Sequence, residues 1–432
     1  MRLNKKQLEA LHTLIQSLEF SSTRLFEVRD PHAFEKLRAA ILYAAPWKDF
    51  IDYGDLLQIF WTTAFQEATS FPENFVGYLS CLDEGITSNR LFQNIREELE
   101  AIPSVIDVFV PLSGLMRLEQ AEIPITEHIT LIDGSFSEEL RAYVESAKPS
   151  NGLLKTLGKE VVSNRTGVSR FIKVRGSGFA SDDPEGNVMS DALSIIKQFV
   201  FIGLATGTLG QRYSPRRWDM RSTAGQFPSF VVDQRGPGHK VHGVSVPYDL
   251  NDFLQQLYFK EPLEVMDSKP GKSLLTANKR AATTGEDIHQ AVRLSFSTAS
   301  KFLSLKSPDS IPIRAAMEWY VDSSATSNES IAFLQRCIGL EALLGVDGGR
   351  RDVTERLADR YAYMLGRTES ERMNLRQAFK GMYSHRGDVV HGRASKLMKA
   401  HRPASAAAAE MLLRCTWAEM HNMLRSTNSG TA

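Results

Sequence analysis

The hydrophobic pattern changes its period twice along the 432-residue chain, and this change constrains the fold more than any single motif. Near the start, apolar residues recur at three- and four-residue steps, as at Leu8, Leu11, Ile15 and Leu18, which is typical of amphipathic helices. From about residue 104, short runs of β-branched and aromatic residues replace that pattern, and helical spacing returns after about residue 285. The sequence therefore predicts an α+β N-terminal region followed by an all-α helical bundle.

The middle segment carries the predicted strands. They lie at residues 105–110, 123–132, 171–174 and 230–232, and the apolar segment 190–204 predicts a buried helix among them. This mixture predicts an α+β domain whose sheet is antiparallel or mixed. Its glycine clusters do not complete a nucleotide-binding signature, because no Lys-Ser or Lys-Thr follows the glycines and no G-x-G-x-x-G is present.

Turn-forming and small residues, such as those at 269–272, mark a linker between the two regions. The length allows two or three domains, at roughly 150 residues each. We predict a mostly helical region at 1–103, an α+β domain at 104–262, a linker at 263–285 and a helical bundle at 286–426.

The cysteine pattern and the hydropathy indicate in which cellular compartment the protein is expected. Cys81, Cys337 and Cys415 lie far apart without a C-x2-C partner, so we expect neither a disulfide framework nor a cysteine-rich zinc site. No apolar stretch approaches the roughly 20 residues that span a bilayer, and the N-terminus does not resemble a signal peptide. We therefore expect a cytoplasmic protein with no membrane partner.

Charge is balanced overall but uneven along the chain. Residues 350–402 contain 13 lysines and arginines against 6 aspartates and glutamates. Such a stretch can bind a phosphate backbone electrostatically, although helices also carry solvated arginines that have no function.

Near the C-terminus an arginine lies five residues before a histidine, in the segment 383–393, YSHRGDVVHGR. Arg386 is suited to hold a phosphate through two parallel charged hydrogen bonds, and histidine has an unperturbed pKa near neutrality. His391 could move a proton at a ribose 2′-OH or at the leaving oxygen, while Arg386 stabilises the charge that grows on the phosphate. The pair could therefore cleave RNA without a metal.

A carboxylate precedes this segment on another predicted helix. Helices are predicted at about 286–305, 311–323, 329–344 and 404–424. Two more are predicted to start at the capping-box patterns Asp352-x-x-Glu355 and Thr368-x-x-Glu371. The helix predicted at 329–344 carries a stripe of Leu334, Ile338, Glu341 and Gly345, which places Glu341 on the buried face. Because a buried carboxylate costs several kcal/mol unless it is paired, Glu341 either forms a salt bridge that holds the bundle together or orients Arg386 or His391.

The residues after the arginine predict a helix boundary. An uninterrupted helix would place Arg386 and His391 about 140° apart. Since Gly387 is a poor helix former and Asp388 a good N-cap, we expect Arg386 at a helix entrance and His391 one turn inside. Asp388 would then also support the site with its polarity.

Two segments together resemble the HEPN superfamily, and within it the Apea-like group. They are Ile338-Gly339-Leu340-Glu341-Ala342-Leu343-Leu344 and Tyr383-x-x-Arg386-x4-His391-Gly392, and the resemblance covers about residues 285–426. It implies a HEPN-type helical domain that acts as an endoribonuclease without metal or cofactor, with Arg386 and His391 as catalytic residues. It also implies that two such domains pair about a two-fold axis.

The resemblance further implies a role in microbial defence against phages or in toxin-like growth control. The N-terminal region would then sense or regulate, through a trigger that the sequence does not identify. One position departs from the family, because the residue after the arginine is often polar and is Gly387 here. This departure keeps an alternative open, in which the domain is a weak or inactive module for dimerisation and RNA binding.

Further basic residues are candidates for RNA contact. His385, Arg393 and Arg402 lie near the catalytic pair, although solvent-exposed surface explains them as well. The run Arg216-Arg217-Trp218 lies in a segment that interleaves cations with aromatic rings, which suits backbone contact and base stacking on single-stranded RNA. A loop whose aromatic rings pack into the core would have the same pattern.

Overall fold

The computed structural model describes residues 2–21, 25–72, 75–112, 122–133, 139–140, 142–143, 170–181, 186–211, 229–235, 240–259, 296–345, 353–390 and 402–429. An α+β region comes first and an all-helical region follows, as the sequence predicts. The predicted linker at 263–285 lies outside the described residues.

The first hundred residues combine four helices with a small sheet. The helices are α1 (Lys5–Gln16), α2 (Pro31–Leu42), α3 (Tyr53–Ala68) and α4 (Ile86–Glu100). Strands β1 (Leu18–Phe20), β2 (Phe26–Val28) and β3 (Gly77–Tyr78) pair antiparallel in the order β2-β1-β3. The helices agree with the prediction, whereas strands of two or three residues are too short to show an alternating pattern in sequence.

A six-stranded antiparallel sheet forms the centre of the α+β region. The remaining strands are β4 (Ser104–Leu112), β5 (Glu122–Pro124), β6 (Ile129–Asp133), β7 (Arg170–Gly178), β8 (Leu209–Gln211), β9 (Ser229–Asp233), β10 (Lys240–Val244) and β11 (Leu257–Phe259). The large sheet has the order β10-β9-β4-β7-β6-β5, and β8 pairs with β11 apart from it. The predicted runs at 105–110, 171–174 and 230–232 are central strands of this sheet.

The predicted strand at 123–132 is instead a hairpin of β5 and β6. The Thr126 hydroxyl accepts hydrogen bonds from the backbone N–H groups of His128 (3.1 Å) and Ile129 (3.0 Å). A threonine that satisfies backbone donors locally offers the chain an alternative to a strand ladder. The chain therefore reverses inside a stretch whose alternation reads as one strand.

Six helices follow residue 295 in the described part of the chain. They are α7 (296–303), α8 (Ile311–Ala325), α9 (Glu329–Leu344), α10 (Val353–Leu365), α11 (Glu369–Val390) and α12 (Arg402–Ser429), and they are preceded by α5 (Asn187–Ala205) and α6 (Tyr248–Gln256) in the α+β region. The helices predicted at 311–323, 329–344 and 404–424 are confirmed. Thr368 and Glu371 exchange side chain-to-backbone hydrogen bonds of 3.2 Å, the predicted capping box of α11.

The predicted apolar stripe of α9 is wrong. Its buried face consists of Phe333, Cys337, Leu340 and Leu344, whereas Ile338 is 39% exposed. The two stripes are adjacent on the helix and both repeat at three- and four-residue steps, so periodicity alone cannot choose between them. Glu341 lies at the edge of the buried face, with its side chain 30% exposed.

Helix α5, the buried helix predicted at 190–204, packs between the large sheet and α8. Its apolar side chains share one core with inward-facing residues of β4, β6, β7 and β9 and with residues of α7, α8 and α12. By length and composition α5 is apolar enough to cross a membrane. In this structure more than half of the helix is buried against these neighbours.

A polar network also joins the two regions. Arg314 of α8 donates to the side-chain oxygen of Gln198 on α5 (2.6 Å) and to the backbone oxygen of Leu305 (2.8 Å). Glu318 accepts hydrogen bonds from Ser194 (2.6 Å) and Gln198 (2.9 Å). The helical region is thereby fixed to the α+β region through apolar and polar contacts together.

Candidate functional site

Helix α11 continues through Arg386 to Val390, so the predicted helix entrance at Arg386 is wrong. Glycine costs about 1 kcal/mol in a helix interior, which is small beside the apolar burial that holds this helix. Tyr383 is buried one turn before Gly387, and Val389 packs against the same core. These contacts on both sides keep the backbone helical, and Asp388 lies inside the last turn instead of capping a new helix.

Arg386 is held by the carboxylate of Glu341 on α9. The distance from Arg386 Nε to Glu341 Oε1 is 3.0 Å, and that from Arg386 Nη2 to Glu341 Oε2 is 3.4 Å. The Tyr383 hydroxyl donates to Glu341 Oε1 at 2.7 Å. The arginine, the carboxylate and the tyrosine thus form one cluster between α9 and α11, in which the carboxylate has partners on both oxygens.

The two residues of α11 in this cluster share one helix face because they are three positions apart. The guanidinium carbon of Arg386 lies 5.7 Å from the centre of the Tyr383 ring, a cation–π distance. With their side chains 29% and 30% exposed, Arg386 and Glu341 are half-buried, so their attraction is less screened than that of a surface pair. The guanidinium is therefore restrained in direction but remains accessible to solvent.

The Glu341 carboxylate and burial together favour the protonated forms of the Tyr383 hydroxyl and the Cys337 thiol. Burial raises the pKa of the Tyr383 hydroxyl, and its hydrogen bond to Glu341 adds to the rise. Burial also raises the pKa of the Cys337 thiol to about 12, with a contribution from Glu341 that Arg386 opposes. Both groups are protonated near neutral pH, so Tyr383 acts as a donor to Glu341 and Cys337 is not a nucleophile.

Close helix packing brings Glu341 to this position. A side-chain carbon on Gly339 would lie 2.9 Å from Leu412 Cδ2 and 3.0 Å from Trp319 Cβ. Only glycine allows α9 to approach α8 and α12 this closely. The sequence shows this glycine inside the quoted motif, but the close approach depends on residues far away in the chain.

The remaining predicted site residues fall into two groups. His385 and Asp388 lie half-buried in the last turns of α11, and Arg402 begins α12. Arg402 is 62% exposed and pairs with Glu329 at 3.2 Å. The others, His391, Arg393 and the run Arg216-Arg217-Trp218, lie outside the described residues.

Two of the cations between 350 and 402 pair with carboxylates of α10 on the surface of the bundle. Arg376 and Lys380 of α11 both contact Glu355 of α10, and Arg376 also contacts Asp359. Exposed pairs of this kind contribute up to about 1 kcal/mol each to stability. Their carboxylates are among the six acidic residues already counted in this stretch, so its excess of seven positive charges is unchanged.

Tyr383 belongs to this site, although the sequence motif that contains it predicts no role for it. It stands three residues before Arg386, which on a helix is contact distance, and that spacing is the signal that could have identified it. Within the described ranges, no group of three His, Cys, Asp or Glu side chains could hold a metal ion.

Comparison with known proteins gives no further guide to this cluster. No protein-family model, no curated protein and no solved structure matches the chain at a significant level.

Proposed function

We propose that this protein is a metal-independent, HEPN-type endoribonuclease in which Arg386 holds the scissile phosphate and His391 transfers the proton. The observation that carries the proposal is the fixed direction of Arg386. Glu341 contacts its Nε and Nη2 atoms, and Nη1 makes no hydrogen bond with the described residues. An arginine oriented in advance through one edge can offer its other edge to a phosphate without losing further side-chain freedom.

His391 follows directly after the last residue of α11. In the proposed reaction, His391 removes the proton from the ribose 2′-OH and the oxygen attacks the adjacent phosphorus. The P–O5′ bond breaks, and the departing 5′ oxygen takes up a proton, which the imidazolium of His391 can return. The products are a 2′,3′-cyclic phosphate and a 5′-hydroxyl end, with Arg386 stabilising the charge on the phosphate oxygens.

A second copy of the chain is the proposed partner besides RNA. Ile331 and Ile338 lie on the α9 stripe that faces outward, and they are 50% and 39% exposed. Glu341 stands at the edge of the same stripe, so pairing through it would bring two Arg386 side chains toward one groove. The proposed setting is the cytoplasm, in microbial defence or toxin-like growth control, with residues 1–262 sensing a trigger.

RNA cleavage in the presence of EDTA tests the proposed reaction. Wild-type protein, Arg386→Ala and His391→Ala are incubated with total RNA and tRNA, and the product ends are identified. Arg376→Ala is the matched control, because Arg376 lies on the same helix and pairs with Glu355 and Asp359. We expect cyclic-phosphate ends from the wild type and the control, and a loss of about a hundred-fold or more in both site variants.

Two results would contradict the proposal. Equal cleavage by wild type and both site variants would remove Arg386 and His391 from the reaction. Salt-sensitive RNA binding by all four proteins without cleavage would favour the alternative, a dimerisation and RNA-binding module.

A further inference from the structure

A pocket opens on the face of the six-stranded sheet that points away from α5. Side chains alternate across a strand, so Val108 and Val174 face α5, whereas Asp107, Lys173 and Arg175 line the pocket. Its volume is about 170 Å³. Glu139 and Tyr143, which follow β6 in the chain, contribute to its lining together with Glu122 of β5.

The floor of the pocket is a fixed ion pair. Asp107 has a side chain only 3% exposed and accepts hydrogen bonds from Arg175 Nε (2.8 Å) and Nη2 (3.0 Å). Gln234 Nε2 donates to the same carboxylate at 3.1 Å. Since Asp107 is satisfied by these partners, it orients Arg175, whose side chain is 49% exposed and open to the pocket.

Lys173 forms a long ion pair with Glu122, its charged partner among the described residues. Its side chain is 19% exposed, and its Nζ atom lies 3.9 Å from Glu122, beyond hydrogen-bond distance. Because Nζ makes no hydrogen bond with Glu122 at this distance, it can donate charge-assisted hydrogen bonds to an anionic group that enters the pocket. The cation therefore favours a ligand with a carboxylate or another small anion.

Glu139, a carboxylate in the lining, favours a positively charged group on the ligand. Glu139 accepts a hydrogen bond from the Tyr143 hydroxyl, which restrains it in direction, and its side chain is exposed. Counting Asp107, Glu122 and Glu139 against Lys173 and Arg175, the described lining residues have an excess of one negative charge. Such a lining disfavours a polyanion and favours a ligand that carries separate positive and negative groups.

The volume of the pocket further restricts which ligands can bind. Pockets for drug-sized ligands measure roughly 300–1,000 Å³, and this pocket is smaller, at about 170 Å³. A nucleotide is both too large and too negative for it. We propose that the pocket binds a free α-amino acid or a zwitterion of the same size, with its carboxylate on Lys173 and Arg175 and its ammonium group toward Glu139.

Isothermal titration calorimetry on the full-length protein tests this proposal independently of any RNA cleavage. Each of the common amino acids is titrated singly, with AMP and inorganic phosphate as comparison ligands. We expect one amino acid or a related group to bind at one site per chain. Lys173→Met and Glu139→Gln should each weaken binding about ten-fold or more, as expected for the loss of a charge-assisted hydrogen bond, whereas Lys36→Met, at an exposed position on α2, should not.

A second comparison uses the wild-type protein alone, so that it does not depend on how the variants fold. The amino acid that binds is compared with its primary amine, which lacks the carboxylate, and with its deaminated acid, which lacks the ammonium group. Both analogues should bind about ten-fold more weakly or worse. Absence of heat with every amino acid at millimolar concentration, equal affinity for the analogues, or tighter binding of AMP or phosphate would overturn the proposal.

Discussion

At the scale of single residues, the cluster of Glu341, Arg386 and Tyr383 illustrates how a half-buried carboxylate is stabilised. The arginine supplies one hydrogen bond and one ion-pair contact, and the tyrosine hydroxyl supplies one hydrogen bond. The sequence required a partner for Glu341, and the pairing with Arg386 supplies one. The contact itself is compatible with both predicted roles, a salt bridge that holds α9 against α11 and a positioning group for Arg386.

Removal of the carboxylate should cost more than removal of the hydroxyl. Tyr383→Phe deletes one donor and should lower the free energy of unfolding by about 1 kcal/mol, whereas Glu341→Ala leaves a half-buried guanidinium and a buried hydroxyl unpaired and should lower it by about 2 kcal/mol. Urea denaturation measures both. Glu410→Ala, at an exposed position on α12, is the control and should stay within about 0.5 kcal/mol of the wild type. Equal effects of the two cluster variants would show that Glu341 is not the shared acceptor.

At the scale of helices, α11 shows that packing on both sides of a glycine overrides its low helix propensity. The glycines in the two site helices play different roles. A side-chain carbon on Gly387 would meet nothing within 4 Å, whereas one on Gly339 would lie 2.9 Å from Leu412. Gly387 therefore only lowers the intrinsic stability of its helix, whereas Gly339 is needed for the close packing of α9.

Alanine should have opposite effects at these two positions. Gly387→Ala should raise the free energy of unfolding by up to about 1 kcal/mol, because alanine is the better helix former and the space is open. Gly339→Ala should lower it by about 1–3 kcal/mol, because Leu412 and Trp319 must move. The urea midpoints of the two variants measure the contrast. A decrease in Gly387→Ala would contradict a continuous α11, and an unchanged Gly339→Ala would contradict the close approach of α9.

At the scale of the whole molecule, the α+β region and the helical bundle share a core. Arg314 and Glu318 of α8 reinforce that core by contacts with α5, so α8 packs against the α+β region on one side and α9 on the other. The outward stripe of α9 leaves Ile331 and Ile338 exposed beside Glu341. An exposed apolar stripe beside the site suits association with a second copy.

Association through α9 predicts a dimer that a single charge disrupts. In analytical ultracentrifugation the wild type should sediment as a dimer, and Ile338→Glu should shift it to monomer, because a buried unpaired carboxylate costs several kcal/mol. Ile311→Glu is the matched control, since Ile311 is 63% exposed at the start of α8. A wild-type monomer at every concentration, or a dimer that persists in Ile338→Glu, would contradict the proposed partner surface.

Local signals in the sequence determined most helices, the central strands, the capping box of α11 and the need for a partner of Glu341. These features depend on neighbours within a few residues, such as the spacing of Leu375 and Phe379 along α11 or of Thr368 and Glu371 at its start. Only the tertiary structure decided which stripe of α9 is buried, that α11 continues through Gly387, and that Lys173 and Glu139 line the same pocket. In each case the deciding contacts join residues far apart in the chain, and the spacing of apolar residues along the sequence does not predict such contacts.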